Sequence, residues 1–127
     1  EKRRLFAAAG CDFTLEYHNR VCFVGTDLAE DAAGWAQDLR AHGYDAAAPT
    51  MWVLEGLAGY LSEEELLHVF FAIDELSAVG SVVAASFNGT AHAPPTAMHR
   101  YASDEPEKLL EKLGPWATLE KSSLGPL

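Results

Sequence analysis

Three short apolar runs with β-forming residues, held apart by stretches of helical periodicity, most constrain what this chain can fold into. They are Arg20–Gly25 (RVCFVG), Thr50–Leu54 (TMWVL) and Gly80–Phe87 (GSVVAASF). A strand that is apolar throughout, instead of alternately, suits burial on both faces, the condition of a parallel sheet covered by helices. Between the runs, residues 31–42 set Ala32, Trp35, Ala36 and Leu39 on one helical face. Residues 63–76 do the same with Leu66, Val69, Phe70, Ile73 and Leu76. A helical crossover joins parallel strands, so the alternation predicts an α/β fold with a mainly parallel sheet.

The element boundaries have their own chemistry. Ser62-Glu63-Glu64-Glu65 is a capping box: the serine hydroxyl accepts from the Glu65 amide while Glu65 reaches back to the Ser62 amide. Its acidic first turn also suits the helix dipole. His42-Gly43 closes the preceding helix with glycine at the position that favours a left-handed residue. Asp104-Glu105-Pro106 opens a helix to Leu113, with proline near its start, and Gly114–Glu120 reads as a final strand. Asn88–Pro95 reads as a loop. Glu1–Ala9 favours helix and has no cap before it, so the chain is expected to be part of a longer polypeptide.

Composition removes several function classes. Nine Lys+Arg against nineteen Asp+Glu give a formal charge of −10, which repels phosphate backbones, so no nucleic-acid partner is expected. No apolar stretch approaches the roughly 20 residues that span a bilayer, and no signal peptide is visible; the expected compartment is cytoplasmic. The two cysteines make neither a disulfide framework nor a metal set, and Cys22 within Val21–Val24 reads as a buried free thiol. His18, His42, His68, His92 and His99 lack ligand spacing, so no metal is expected. The serines lack the Gly-x-Ser-x-Gly elbow of a hydrolase. Trp35, Trp52 and Trp116 stand in apolar contexts and read as core.

Open parallel sheets bind ligands beyond the carboxyl ends of their strands. Asp27 follows the first run and Glu55 the second. Asp27 is followed by Leu28, so a carboxylate acceptor and an apolar wall arrive together, which is what an adenine amine and ring face require. Glu55 is followed by Gly56, where backbone can approach a ligand closely. The alternative for Asp27 is to cap the next helix, and for Glu55 to be merely solvated.

Several of these segments together are similar to the leucine carboxyl methyltransferase family, and most closely to its bacterial O-methyltransferase branch. The likeness rests on Thr26-Asp27-Leu28, on residues 49–61 (PTMWVLEGLAGYL), on residues 75–81 (ELSAVGS), on residues 41–45 (AHGYD), and on residues 103–106 with 113–116. It covers roughly residues 1–120. The resemblance implies a partial class I, Rossmann-like methyltransferase fold around S-adenosylmethionine, residues 1–127 being the C-terminal part of a single domain. Asp27 and Leu28 match the pair that borders the adenine. Glu55 matches the acidic residue near the methionine end, and Tyr60 matches a substrate-side position, or is a core tyrosine. The catalytic residues are not assigned, because methyl transfer from a sulfonium mainly needs positioning and desolvation.

The implied partner is a small-molecule or protein carboxylate, or a small-molecule hydroxyl. The family's glycine-rich loop and its ribose-holding acidic residue belong to its first two strands, which are absent from this sequence; there is no Gly-x-Gly in it. A chain lacking those strands is expected to be aggregation-prone or a homodimer when isolated, and without saturable cofactor binding. The competing function is a truncated, non-catalytic α/β interaction or assembly domain.

Overall fold

The computed structural model describes residues 22–91, 96, 98–117 and 120–123. In chain order these form helix α1 (Ala32–Ala41), strand β1 (Met51–Leu54), a 3-10 turn (Ala58–Tyr60), helix α2 (Glu63–Leu76), strand β2 (Val82–Ala85) and the short helix α3 (Glu107–Glu111). The two strands pair in parallel, Met51 opposite Val82 through Leu54 opposite Ala85. The α2 crossover carries the chain from the end of one strand to the start of the next, as the sequence pattern predicts.

α2 forms because its start is satisfied locally and its buried face is continuous. The Ser62 hydroxyl accepts from the Glu65 amide at 3.2 Å and the Glu65 carboxylate accepts from the Ser62 amide at 2.8 Å, the predicted capping box. Leu66, Val69, Phe70, Ile73 and Leu76 are all buried, the face read from the periodicity. α1 begins with the Asp31 carboxylate accepting from the Gly34 amide at 2.7 Å. It ends in a Schellman closure: Gly43, at φ 95°, donates to the Arg40 carbonyl, and Tyr44 donates to that of Leu39. Ala32 and Ala36 are buried, and Trp35 and Leu39 pack against the same core.

Aromatic side chains tie the layers together. Trp52 of β1 meets Trp35 edge-on at 5.9 Å and Tyr44 at 5.5 Å. Its indole donates to the Ser77 hydroxyl, which donates in turn to the Ile73 carbonyl. The Tyr44 hydroxyl donates to the Leu76 carbonyl at 2.8 Å and also bonds the Thr50 hydroxyl. Trp116 donates to Asp74 at 2.7 Å, fastening the segment after α3 to α2. All three tryptophans are partly buried against the core.

Four expectations need correction or lie elsewhere. Residues 22–25 take no strand conformation, although Arg20–Gly25 reads as one: a strand exists only through its ladder, and the ladder among the described residues does not include them. Cys22 is exposed, since among the described residues no strand or helix covers it. Residues 116, 117 and 120 are likewise not strand, so the predicted final strand is not formed by its described residues. The helix at residues 1–9 lies outside the described residues.

Among the described residues, the two paired strands are covered on one face only. Trp52, Leu54, Val83 and Ala85 turn to the helices, while Met51 (69% exposed), Val53 (64%), Val82 and Ala84 stand on the bare face. The apolar character of these strands matches burial on two sides, of which the described residues supply one.

Candidate functional site

Both strands end at the same edge, and the chain after each bends over that edge. After Leu54 come Glu55 and Gly56, the latter at φ 66°, a conformation that glycine adopts without strain. After Ala85 come Ser86, Phe87 and Asn88. The Ser86 amide donates to the Leu54 carbonyl at 3.0 Å, and the Ser86 hydroxyl accepts from the Gly56 amide at 2.9 Å. These bonds extend the pairing past the last ladder residues and fix the two turns side by side.

A third segment completes the arrangement. The Thr96 hydroxyl accepts from the His99 amide at 3.0 Å, and the Thr96 amide donates to the His99 carbonyl at 2.8 Å, closing a tight turn. Arg100 then donates from its backbone to the Gly59 carbonyl at 2.7 Å, and Ser103 to the Asn88 carbonyl at 2.8 Å. The His99 ring comes to lie on Tyr60, with centroids 5.1 Å apart.

Together Gly56, Gly59, Tyr60, Ser86, Asn88 and His99 enclose a cavity of about 140 Å³ at the carboxyl end of the sheet. Gly59 is buried, and a Cβ built on it would stand 2.5 Å from the Asn88 amide nitrogen. Only glycine lets the Asn88 amide pack there. The Tyr60 hydroxyl, the Asn88 amide and the His99 ring nitrogens have no hydrogen bond to any described residue. Three polar groups with unused capacity thus converge on one space.

The electrostatics around the cavity are set by a neighbouring pair. Arg100 donates to the Glu65 carboxylate and, from two guanidinium nitrogens, to the Tyr60 carbonyl at 3.1 and 3.2 Å. The Ser62 backbone amide, with Arg100 beside it, holds the Glu65 carboxyl below the usual carboxylate range. Arg100 is committed to these partners and does not line the cavity.

The predicted residues are distributed unequally. Tyr60 lines the cavity and is half exposed, not a core tyrosine. Glu55 stands at the end of β1, exposed, beside the cavity residue Gly56. Asp27 lies in the turn before α1, where one carboxylate oxygen accepts from the Ala29 amide at 3.0 Å and the Asp27 carbonyl accepts from the Glu30 and Asp31 amides. Leu28 is half-buried against the core. Neither Asp27 nor Glu55 lines the cavity.

A second, larger groove of about 370 Å³ runs between α1 and α2, bordered by Glu30, Asp31, His68, Phe71 and Glu75. Among the described residues, no three His, Cys, Asp or Glu side chains gather to hold a metal ion. No described helix is long and apolar enough to cross a membrane.

Sequence reasoning missed Asn88 and His99. The rule that ligands sit beyond strand ends could have found Ser86–Asn88, which directly follow β2. No local signal marks His99, which reaches the site through the bond from Arg100 to Gly59.

Comparison with known proteins gives these residues a context. A sequence model described as leucine carboxyl methyltransferase matches residues 1–74, a stretch that holds Asp27, Leu28, Glu55 and Tyr60. A Mycobacterium marinum protein named "Putative S-adenosyl-L-methionine-dependent methyltransferase" is 41% identical over 87 residues, 68% of this chain and 26% of that protein. Proteins of the same description from Mycolicibacterium smegmatis and Streptomyces coelicolor are 42% identical over 86 residues and 46% identical over 61. They cover 68% and 48% of this chain, and 26% and 19% of themselves. The chain thus spans about a quarter of the length of these relatives. With the family's match extending over more than half of its residues, this chain belongs to the leucine carboxyl methyltransferase family.

Proposed function

We propose that this chain is the C-terminal part of a single S-adenosylmethionine-dependent methyltransferase domain that methylates oxygen, on a carboxylate or a small-molecule hydroxyl. The observation that carries the proposal is the family match through residues 1–74, which contains every position that the sequence assigns to the cofactor. The names of the relatives support the cofactor. The convergence of free polar groups beyond two parallel strands supports a ligand site at that edge.

The side chains suit the cofactor in their chemistry. One oxygen of Asp27 serves the Ala29 amide, and the other has no described partner, which leaves an acceptor for the exocyclic amine of adenine. Leu28 offers an apolar surface to the ring. Glu55, exposed at the strand end and next to the left-handed Gly56, suits the ammonium of the methionine moiety. Bound there, the cofactor supplies a methyl group activated by its sulfonium sulfur. The chain's own residues then contribute what such a transfer needs: they hold the acceptor in line and keep water away.

The test is incubation of the full-length protein that contains this chain with methyl-labelled cofactor and a panel of carboxylic acids, phenols and amines. Label is expected on oxygen. Label confined to nitrogen, or none on any acceptor, rejects the proposal.

A further inference from the structure

The cavity at the strand ends has a composition that discriminates between acceptors. Its described lining carries no lysine or arginine, and Arg100, next to His99 in sequence, is spent on Glu65 and the Tyr60 carbonyl. Among the described residues, an acceptor carboxylate placed there would meet no counter-charge, in a chain whose formal charge is already −10. Burying an anion without a partner is strongly unfavourable. A neutral hydroxyl meets no such penalty.

The groups that are present suit a hydroxyl on a ring. The Asn88 amide both donates and accepts, a neutral imidazole offers one donor and one acceptor nitrogen, and the Tyr60 hydroxyl does either. A phenolic O–H donates to one of these groups and accepts from another. The Tyr60–His99 ring pair supplies an aromatic wall on which a flat ligand can rest. The size agrees as well: about 140 Å³ compares with the roughly 150 Å³ known to hold a benzene ring.

From these observations we infer that the cavity of Gly56, Gly59, Tyr60, Ser86, Asn88 and His99 is the acceptor site, and that it takes a neutral, hydroxyl-bearing aromatic ring in preference to a carboxylate. This rests on the methyltransferase function proposed above and narrows its acceptor. Asn88 and His99 are the residues that bind the hydroxyl. Gly59 makes room for Asn88.

Phenol and benzoate are the probes, titrated separately into isotope-labelled protein while the Asn88 side-chain amide and His99 ring resonances are followed. Phenol should shift both saturably, and benzoate should bind at least about tenfold more weakly. Asn88→Ala should weaken phenol about fivefold to tenfold, the equivalent of one hydrogen bond. His99→Phe, which keeps the aromatic wall and removes the ring nitrogens, should do the same. The backbone spectrum of each variant reports whether it is folded. Benzoate binding as tightly as phenol overturns the inference, as does phenol binding that folded Asn88→Ala and His99→Phe leave unchanged. A parallel titration of S-adenosylhomocysteine into the full-length protein that contains this chain separates the two levels. Cofactor binding without phenol binding rejects the acceptor site alone; phenol binding without any response to S-adenosylhomocysteine rejects the methyltransferase function and leaves the ring site standing.

Discussion

Arg100 is bonded to Glu65, thirty-five positions before it, and through the same guanidinium to the carbonyl of Tyr60. The turn that carries His99 is thereby fastened to the capping box of α2. Glu65 serves two structures at once, since its carboxylate also accepts from the Ser62 amide.

That double role predicts a pH dependence. The Ser62 amide and Arg100 lower the Glu65 carboxyl in the folded protein relative to the unfolded chain. A lowered carboxyl contributes stability that is fully present above its unfolded value and is lost as pH falls through its folded value. Glu65→Gln should therefore melt below the wild type at neutral pH, and the difference should close on acidification through and beneath the ordinary carboxylate range. Arg100→Ala should shift that closing window upward, towards the ordinary value. The pair is partly exposed, so the difference is small and shrinks with salt. Thermal melts of the three proteins over a series of pH values check this. A difference that persists at the lowest pH would assign it to packing instead.

Phe70 should be among the costliest residues to truncate. It is 1% exposed on α2, and it stacks on Phe87 with centroids 6.5 Å apart. Phe87 in turn meets Tyr101 edge-on at 6.3 Å, so the ring stack runs from α2 to the segment beside the cavity. Phe70→Ala removes buried surface and leaves a hole, at a cost of about 3–5 kcal/mol. Urea denaturation should show that loss, and the His99 ring resonance should broaden as its support loosens. Phe71→Ala, at an exposed position one residue on, should change stability by about 0.5 kcal/mol or less.

These examples show what the sequence made legible. α2 is encoded within itself: the capping box spans four residues, the apolar period covers the rest, and both appear in the structure as read. The parallel pairing of β1 with β2 was also within reach, because the length and helical character of the crossover decide it. Residues 22–25 were not, since an apolar run becomes a strand only when a partner is beside it. Cys22 went the same way: its burial was inferred from its apolar neighbours, and exposure depends on what covers them. At the site, only the family resemblance pointed to Tyr60, which lines the cavity. His99 was not legible, because its place is decided by a bond between residues forty-one apart, Arg100 to Gly59, that leaves no periodic trace.

Gly59→Ala should act on the cavity through Asn88. The added Cβ would stand 2.5 Å from the Asn88 amide nitrogen, too close for either to remain, so the amide must turn away. Overpacking of this kind costs about 1–3 kcal/mol. Gly59→Ala should lower the urea midpoint and also weaken phenol about fivefold to tenfold, as Asn88→Ala does. The double variant Gly59→Ala with Asn88→Ala should regain most of the stability and none of the phenol affinity. Recovery of neither would place the strain in the Gly59 backbone, and recovery of both would remove Asn88 from the acceptor site.

Asp27 is asked to do two things, and two substitutions separate them. Its first oxygen closes the turn before α1 by accepting from Ala29 at 3.0 Å; its second is the proposed acceptor for the adenine amine. Asp27→Ala removes both, so it should lower stability by about 0.5–1 kcal/mol and weaken S-adenosylhomocysteine by about 1–3 kcal/mol. Asp27→Asn keeps an oxygen for the Ala29 amide, so the turn and the melting temperature should survive. Its remaining group is then an amide NH2 that donates, pointed at an adenine amine that also donates, and two donors cannot bond. The cofactor affinity of Asp27→Asn should fall as far as that of Asp27→Ala, although its fold is intact. Calorimetric titration of the full-length protein and its two variants with S-adenosylhomocysteine, beside thermal melts of the three, decides the matter. If Asp27→Asn binds like the wild type, Asp27 only closes the turn, and the adenine is held by other residues.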